Sequence, residues 1–433
     1  MKQVSVSIST YTADVSGVCS ALYELGGMVV IHDPSGCNST YNTHDEPRWY
    51  EQDSLVFISG LSEIDAIMGN DEKFIADIVR AARELSPKFI ALVRSPVPMM
   101  IGTDFEAIRM ILEEETGLPV FYFPTSGMQS YITGAGMALA QVARSMTKKI
   151  MDGETAVAQG EKNAGKSVNL LGVTPLDFSV NTTLSSLRTF WEKQGYTVRS
   201  VFAMGSSPEE IARAGEAGIN LVVSSVGLPA ARVLKERFGT PYVVGLPVGA
   251  FGKEMARAVK ESLHDGRCRT AYAEEPWKQT EEKRKLYLIG EAVITQSLAA
   301  AIRRQYGWET KVLCPLETEE EVLEKNSRRV MRCDSEEALQ QELKAAAGII
   351  ADPLYQPICP EQTPFFPLPH EAFSGRIYRR RIPDLLDVRF LDEWIREAMG
   401  RWEDRNKKEK TERMEEKWNI VFPEQSCSLE KKH

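Results

Sequence analysis

The stretch SGVCSALYELGGMVVIHDPSGC, residues 16–37, decides how the chain is read. Its first part has the apolar spacing of a helix, with Ser16 as N-cap and Gly26-Gly27 as terminator. MVVIH at 28–32 follows as a short apolar strand of the kind buried in a parallel sheet. Cys19 is thereby expected in the first helical turn, where unpaired backbone N–H groups and the helix dipole favour a thiolate. Cys37 is expected in the turn at the strand's carboxyl end, where open α/β sheets place their ligands, with Gly36 permitting close backbone approach. Soft thiolates in such a place suit an iron–sulfur cluster or zinc. The C-x17-C gap by itself is no recognised signature, and two packing cysteines also satisfy it.

Working outward, strands and helices alternate. LVFIS (55–59), KFIALVR (88–94) and VFYF (120–123) read as strands, separated by helices over about 72–85 and 104–116 and followed by one over 129–146. The polar stretch 151–166 reads as a linker. A second cycle runs through VNLLGV (168–173), YTVRSVF (196–202), INLVVSS (219–225) and YVVGL (242–246), up to the charged segment 265–283. A third contains KLYLIG (285–290), a helix over 292–306, TKVLC (310–314), a helix over 336–346 and GIIAD (348–352). Helices of this length between strands imply right-handed crossovers and parallel sheets. The expectation is an α/β protein of three domains, 1–150, 167–283 and 284–400, followed by a charged helix and tail over 401–433.

Composition narrows the function classes. With 52 basic and 61 acidic residues the net charge is −9, so no basic face invites nucleic acid. The apolar runs are too short to span a bilayer, and MKQVSVSIST lacks the apolar core of a signal peptide; a cytoplasmic, non-membrane protein is expected. The 7 cysteines are scattered and never form C-x-x-C, which argues against a disulfide framework. Gly160 to Ser167, GEKNAGKS, fits the phosphate-loop expression. It is read as linker, because such a loop needs a strand before it and a helix after it, and here the strand comes after.

The residues around the cysteine pair resemble the nitrogenase component 1 family, which includes nitrogenase subunits, their cofactor-assembly scaffold and the dark-operative protochlorophyllide reductases. The resemblance is carried by GVCSALYELGGMVVIHDPSGC (17–37), LVFISGLSEIDAIMGN (55–70), PKFIALVRSPVPMMIGTDFEAI (87–108) and SVNLLGVTP (167–175). FGTPYVVGLPVG (238–249), KLYLIGEAVITQSLAAAI (285–302) and FFPLPHEAFSGR (365–376) extend it. It implies three Rossmann-like domains around a central cleft, and Cys19 and Cys37 as ligands of a cluster at a subunit interface. The family's third cysteine falls at Ser95, and a serine oxygen is a poor substitute for a thiolate. Two thiolates per chain imply one [4Fe–4S] cluster shared between two subunits, the second being another copy or a homologous subunit. The run Ser224 to Pro229 lacks the cysteine that holds nitrogenase's large cofactor, so dinitrogen reduction is not expected. The resemblance further implies an ATP-hydrolysing iron protein as electron donor and a small-molecule substrate in the cleft. A metallocofactor scaffold is the alternative. His370 reads as a loop histidine on the cleft wall. Cys359, in ICPEQ, is the remaining cysteine whose loop could face the cleft.

Overall fold

The computed structural model describes residues 6–8, 11–36, 38, 41, 46–147, 166–272, 285–324, 329–387, 389–397 and 400. Three separate parallel sheets run through it. The first has the order β2-β1-β3-β4, with β1 Met28–His32, β2 Leu55–Ile58, β3 Ile90–Arg94 and β4 Val120–Phe123. The second has the order β6-β5-β7-β8-β9, from β5 Ser167–Leu171, β6 Thr197–Val201, β7 Ile219–Val222, β8 Tyr242–Val244 and β9 Arg269–Thr270. The third is β12-β11-β10-β13-β14: β10 Lys285–Ile289, β11 Glu309–Cys314, β12 Val330–Arg332, β13 Gly348–Ala351 and β14 Phe365–Pro367. Every residue of β1, β5, β7, β8 and β13 is buried, as expected of strands covered on both faces.

Each sheet begins at an inner strand and then switches sides, so that ligand-binding crevices open between β1 and β3, β5 and β7, and β10 and β13. Residues 151–165 and 273–284, where the linker and most of the second boundary were expected, lie outside the described residues. By contact the chain divides into Met1–Val388, which holds all three sheets, and Arg389–His433. The described part of the second unit is helical over 389–397, with the Phe390 and Trp394 rings stacked at 6.3 Å.

The helix Asp14–Leu22 lies against Tyr131–Ser145, and two glycines let the backbones touch. A methyl group on Gly17 would stand 2.3 Å from the Tyr131 carbonyl oxygen, and one on Gly134 would stand 1.8 Å from that of Asp14. The buried Asp14 carboxylate secures the joint, accepting from the backbone N–H groups of Val15 at 2.9 Å, Ser126 at 2.9 Å and Gly127 at 2.8 Å. This corrects the local reading of the sequence: the helix opens at Asp14, with Ala13 as N-cap, and ends at Leu22, before the glycine pair. Two of the three N–H groups that bind Asp14 come from more than 100 positions away, so the sequence around it does not show why the helix starts there.

Gly134→Ala should therefore lose about 3 kcal/mol or more of unfolding free energy, since neither backbone can yield to the added methyl. Gly36→Ala, where a side chain would meet no atom within 4 Å, should change it by less than about 0.5 kcal/mol. Urea unfolding midpoints of the two variants give the comparison, and equal midpoints would contradict the packing argument.

Candidate functional site

The first cluster of interest surrounds Cys19. Its place in the second turn removes the helix-start argument for a thiolate, and the side chain is 0% exposed. Burial pushes the thiol well above the ordinary range, with the Glu46 carboxylate adding to the rise. Cys19 forms no disulfide, and its helix touches β1 and β3. Cys37 lies outside the described residues. The turn before it is in view: Ser35 takes a left-handed conformation, φ 72°, and donates its N–H to Asp33 Oδ2 at 3.0 Å. A Cβ added to Gly36 would meet no atom within 4 Å among the described residues. Ser95 follows β3 as the N-cap of the helix Pro96–Ile101; its hydroxyl oxygen is buried and has no hydrogen-bond partner among the described residues. Among the described residues no three His, Cys, Asp or Glu side chains gather as a metal-binding group.

The second cluster occupies the meeting point of the three sheets, at their carboxyl ends. Asp177, after β5, is buried and accepts from three hydroxyls: Tyr131 at 2.6 Å, Thr174 at 2.8 Å and Ser224 at 2.8 Å. Glu291, after β10, caps the helix Ala292–Tyr306 by accepting from Val293 N at 3.1 Å and Ile294 N at 2.8 Å. The same carboxylate takes the N–H of Ser225 at 2.9 Å and its hydroxyl, which ties the second sheet to the third. Asp352, after β13, accepts from Leu354 N and His370 N, both at 2.8 Å.

His370 sits over these acids. Its ring stacks on Phe373 with centroids 4.5 Å apart, and Nε2 lies 3.8 Å from Asp177 Oδ1. Neither ring nitrogen has a hydrogen-bond partner. A small cavity of about 40 Å³ lies among Asp177, Glu291, Asp352 and His370. Burial, reinforced by the nearby Glu291 charge, lifts the Asp177 carboxyl to about 7 against its hydroxyl donors. Burial likewise lowers His370 to about 3, so its imidazole is neutral at physiological pH.

A larger cavity of about 900 Å³ opens alongside, with walls from all three sheets. Tyr122 and Met137 come from the first, Ser225 and Arg232 from the second, and the loop Glu317–Glu321 from the third. That loop is held from each side. Ser130 N donates to Glu317 at 3.1 Å, Arg232 reaches Glu319 at 3.0 Å and Glu321 at 2.7 Å, and Arg332 reaches Glu320 at 2.9 Å.

His370 lies at the start of the helix Glu371–Tyr378 and lines the small cavity. Cys359 packs against the core of the third sheet, donates its thiol to the Tyr355 carbonyl at 3.2 Å and is raised to about 12 by burial, so it is a packing residue. Cys314 and Cys333 are buried. Lys166 leads directly into β5, an order opposite to that of a phosphate loop. The acids Asp177, Glu291 and Asp352 were not singled out in the sequence, although all three follow strands and Glu291 and Asp352 are helix N-caps, the place where a capping carboxylate is expected, while Asp177 lies in the first turn of a short helix capped by Thr174.

The family model described as nitrogenase component 1 type oxidoreductase matches residues 16–347. A light-independent protochlorophyllide reductase subunit of Nostoc punctiforme is 29% identical over 196 residues, 45% of this chain and 38% of that protein. Nitrogenase iron-molybdenum cofactor biosynthesis protein NifE of Clostridium pasteurianum is 28% identical over 255 residues, 54% of this chain and 51% of that one. The chain thus spans about half or less of the length of the curated relatives it matches. A solved structure of nitrogenase Cp1 at pH 5 superposes with a TM-score of 0.61 at 15% identity, covering 93% of this chain and 91% of that one. This last likeness is one of fold.

His370 and Asp177 move stability in opposite directions with pH. An unfolded Asp ionises near 3.9, so a carboxyl held near 7 contributes stability that is lost as pH rises from about 4 to 7. An unfolded His titrates near 6.5, so an imidazole held near 3 contributes stability that is lost as pH falls from about 6.5 towards 3. Between about pH 4 and 6.5 the two slopes cancel. Asp177→Asn should expose the histidine slope, losing about 1.4 kcal/mol per pH unit on acidification through that window relative to the unsubstituted protein. Urea midpoints at several pH values measure this, and parallel profiles for the two proteins would refute the pairing.

Proposed function

The chain belongs to the nitrogenase component 1 type oxidoreductases, and on that footing we propose that it is the catalytic component of a nitrogenase-like enzyme. In this reading it accepts electrons from a separate ATP-hydrolysing iron protein and reduces a small-molecule substrate in the 900 Å³ cavity between its three domains. The domains are 1–150, 167–283 and 284–400, and the protein works in the cytoplasm.

The observation that carries the proposal is Cys19, a thiol fully buried beside β1 and β3 and paired with no other cysteine. What supports an iron–sulfur group is the soft thiol of Cys19, which forms no disulfide, and the Ser95 hydroxyl at the end of the neighbouring strand, buried with no hydrogen-bond partner among the described residues. Cys19 and Cys37 would hold a [4Fe–4S] cluster, which supplies one-electron transfer when bound. Two thiolates from each of two chains complete its four ligands. The surface supports such a pairing. Ile64, Ile67, Met68, Met100, Ile101 and Met128 are exposed, and all follow the carboxyl ends of β2, β3 and β4. An apolar rim of this kind suits a second copy or a homologous subunit.

Within the cavity the chain's own groups orient and exclude. Tyr122, Met137 and Leu228 offer apolar contact, and the Glu317–Glu321 loop closes one side. The match to NifE favours a second reading, in which the chain is a scaffold that assembles a metallocofactor and passes it on. An enzyme consumes substrate with ATP and the iron protein, whereas a scaffold releases a cluster to an acceptor.

Anaerobically purified protein should be a brown dimer carrying about two irons per chain. Cys19→Ala should lose that iron and its low-potential signal while keeping the far-ultraviolet circular dichroism of the parent. Colourless protein after anaerobic reconstitution, or about four irons on a stable monomer, would sink the shared-cluster reading.

A further inference from the structure

Beside Cys19 lies a buried charge cluster that the reading above leaves unused. Arg48 is 3% exposed. Its Nε donates to Glu46 Oε1 at 2.6 Å and its Nη2 to Glu46 Oε2 at 3.1 Å, a two-pronged grip. Nη1 reaches Glu24 Oε1 at 2.8 Å. The same guanidinium donates to the backbone carbonyl of Ser20, the residue after Cys19, at 2.8 Å. It also donates to the carbonyl of Ala203 at 3.3 Å, just beyond β6 in the second sheet, and lies 4.5 Å above the Tyr23 ring. Tyr41 donates to Glu46 Oε2 at 3.2 Å, and Gly205 N–H to Glu24 Oε2 at 2.7 Å.

Removing three charges from water is costly, and apolar packing would hold these elements together at less cost. The cluster is also unbalanced. Among the described residues of this cluster two carboxylates face one guanidinium, an excess of one negative charge in a medium of low dielectric constant. Arginine suits the position because one planar group meets two acids and two carbonyls at once, which lysine cannot do.

We propose that Arg48 is a positioning residue, locking the Cys19 helix to the segment that follows Cys37 and to the second sheet, and that the excess charge of Glu24 and Glu46 holds a cluster bound at Cys19 at low reduction potential. The physical reason is that a fixed negative charge nearby disfavours an added electron. The proposal rests on the cluster reading above and adds residues that the reading did not include.

The test uses full-length protein, reconstituted anaerobically with iron and sulfide and titrated electrochemically while its cluster signal is followed. Glu46→Gln and Glu24→Gln each remove one negative charge with little change of shape, and both should shift the midpoint potential upward. Arg48→Lys keeps the charge but loses the two-pronged grip, so it should take up less iron, with little shift in the potential of what binds. If Glu46→Gln fails to fold, Glu24→Gln decides, because that side chain is 14% exposed and leaves the Glu46–Arg48 pair intact. A parent protein that takes up no cluster overturns the cluster reading itself. A loaded parent whose glutamine variants keep its potential overturns the electrostatic part of this proposal alone, and full iron uptake by Arg48→Lys overturns the positioning part.

Discussion

Where the helices Asp14–Leu22 and Tyr131–Ser145 meet, Gly17 and Gly134 leave no side chain between the two backbones. Most of the molecule's functional geometry depends on that joint. One helix carries Cys19, and the other begins with Tyr131, whose hydroxyl reaches Asp177 at 2.6 Å. A contact between main chains cannot repack by rotating side chains, so the cysteine region and the junction of the sheets behave as parts of one rigid frame. Backbone hydrogen bonds carry the frame further: Tyr131 N–H donates to the Thr12 carbonyl at 2.8 Å, and Thr12 N–H to that of Ala372 at 3.0 Å, beside the third sheet.

The buried acids follow a common plan. Asp177, Glu291 and Asp352 each stand at the carboxyl end of an inner strand, and each is surrounded by hydroxyl or backbone N–H donors. Glu291 has three backbone donors, an anion's environment, and yet its carboxyl is pushed upward by burial. Asp177 is raised as well, to about 7, by burial and the nearby Glu291 charge. All three carboxyls are raised by burial, against the donors that favour their charged forms.

The inner strands were legible in the sequence because burial on both faces favours apolar runs, as in MVVIH and FIALV. Their carboxyl-end loops, and with them the region of the site, followed from that alternation. The elements that escaped did so for identifiable reasons. β9, β12 and β14 have 2–3 residues at the outer part of their sheets, too short for any periodic signal. The helix Gly252–Asp265 was overlooked although Met255, Val259 and Ser262 mark one buried face and Gly266 closes it at φ 70°. The start of the Cys19 helix depends on Ser126 and Gly127, and the His370–Asp177 approach joins residues nearly 200 positions apart. Such pairings exist only once three sheets are assembled.

Because Glu291 and Asp352 also begin helical segments, the floor of the junction can accept few mutations without loosening the scaffold that supports it. The loop that lines the larger cavity is free of that double duty. Glu319, Glu320 and Glu321 are held by partly exposed arginines, pairs of the sort that contribute little to folding. Natural variation can remodel that loop while the buried floor persists. Substitutions at Glu319, Glu320 and Glu321, or at Arg232 and Arg332, would reshape the 900 Å³ cavity while leaving the buried acids in place.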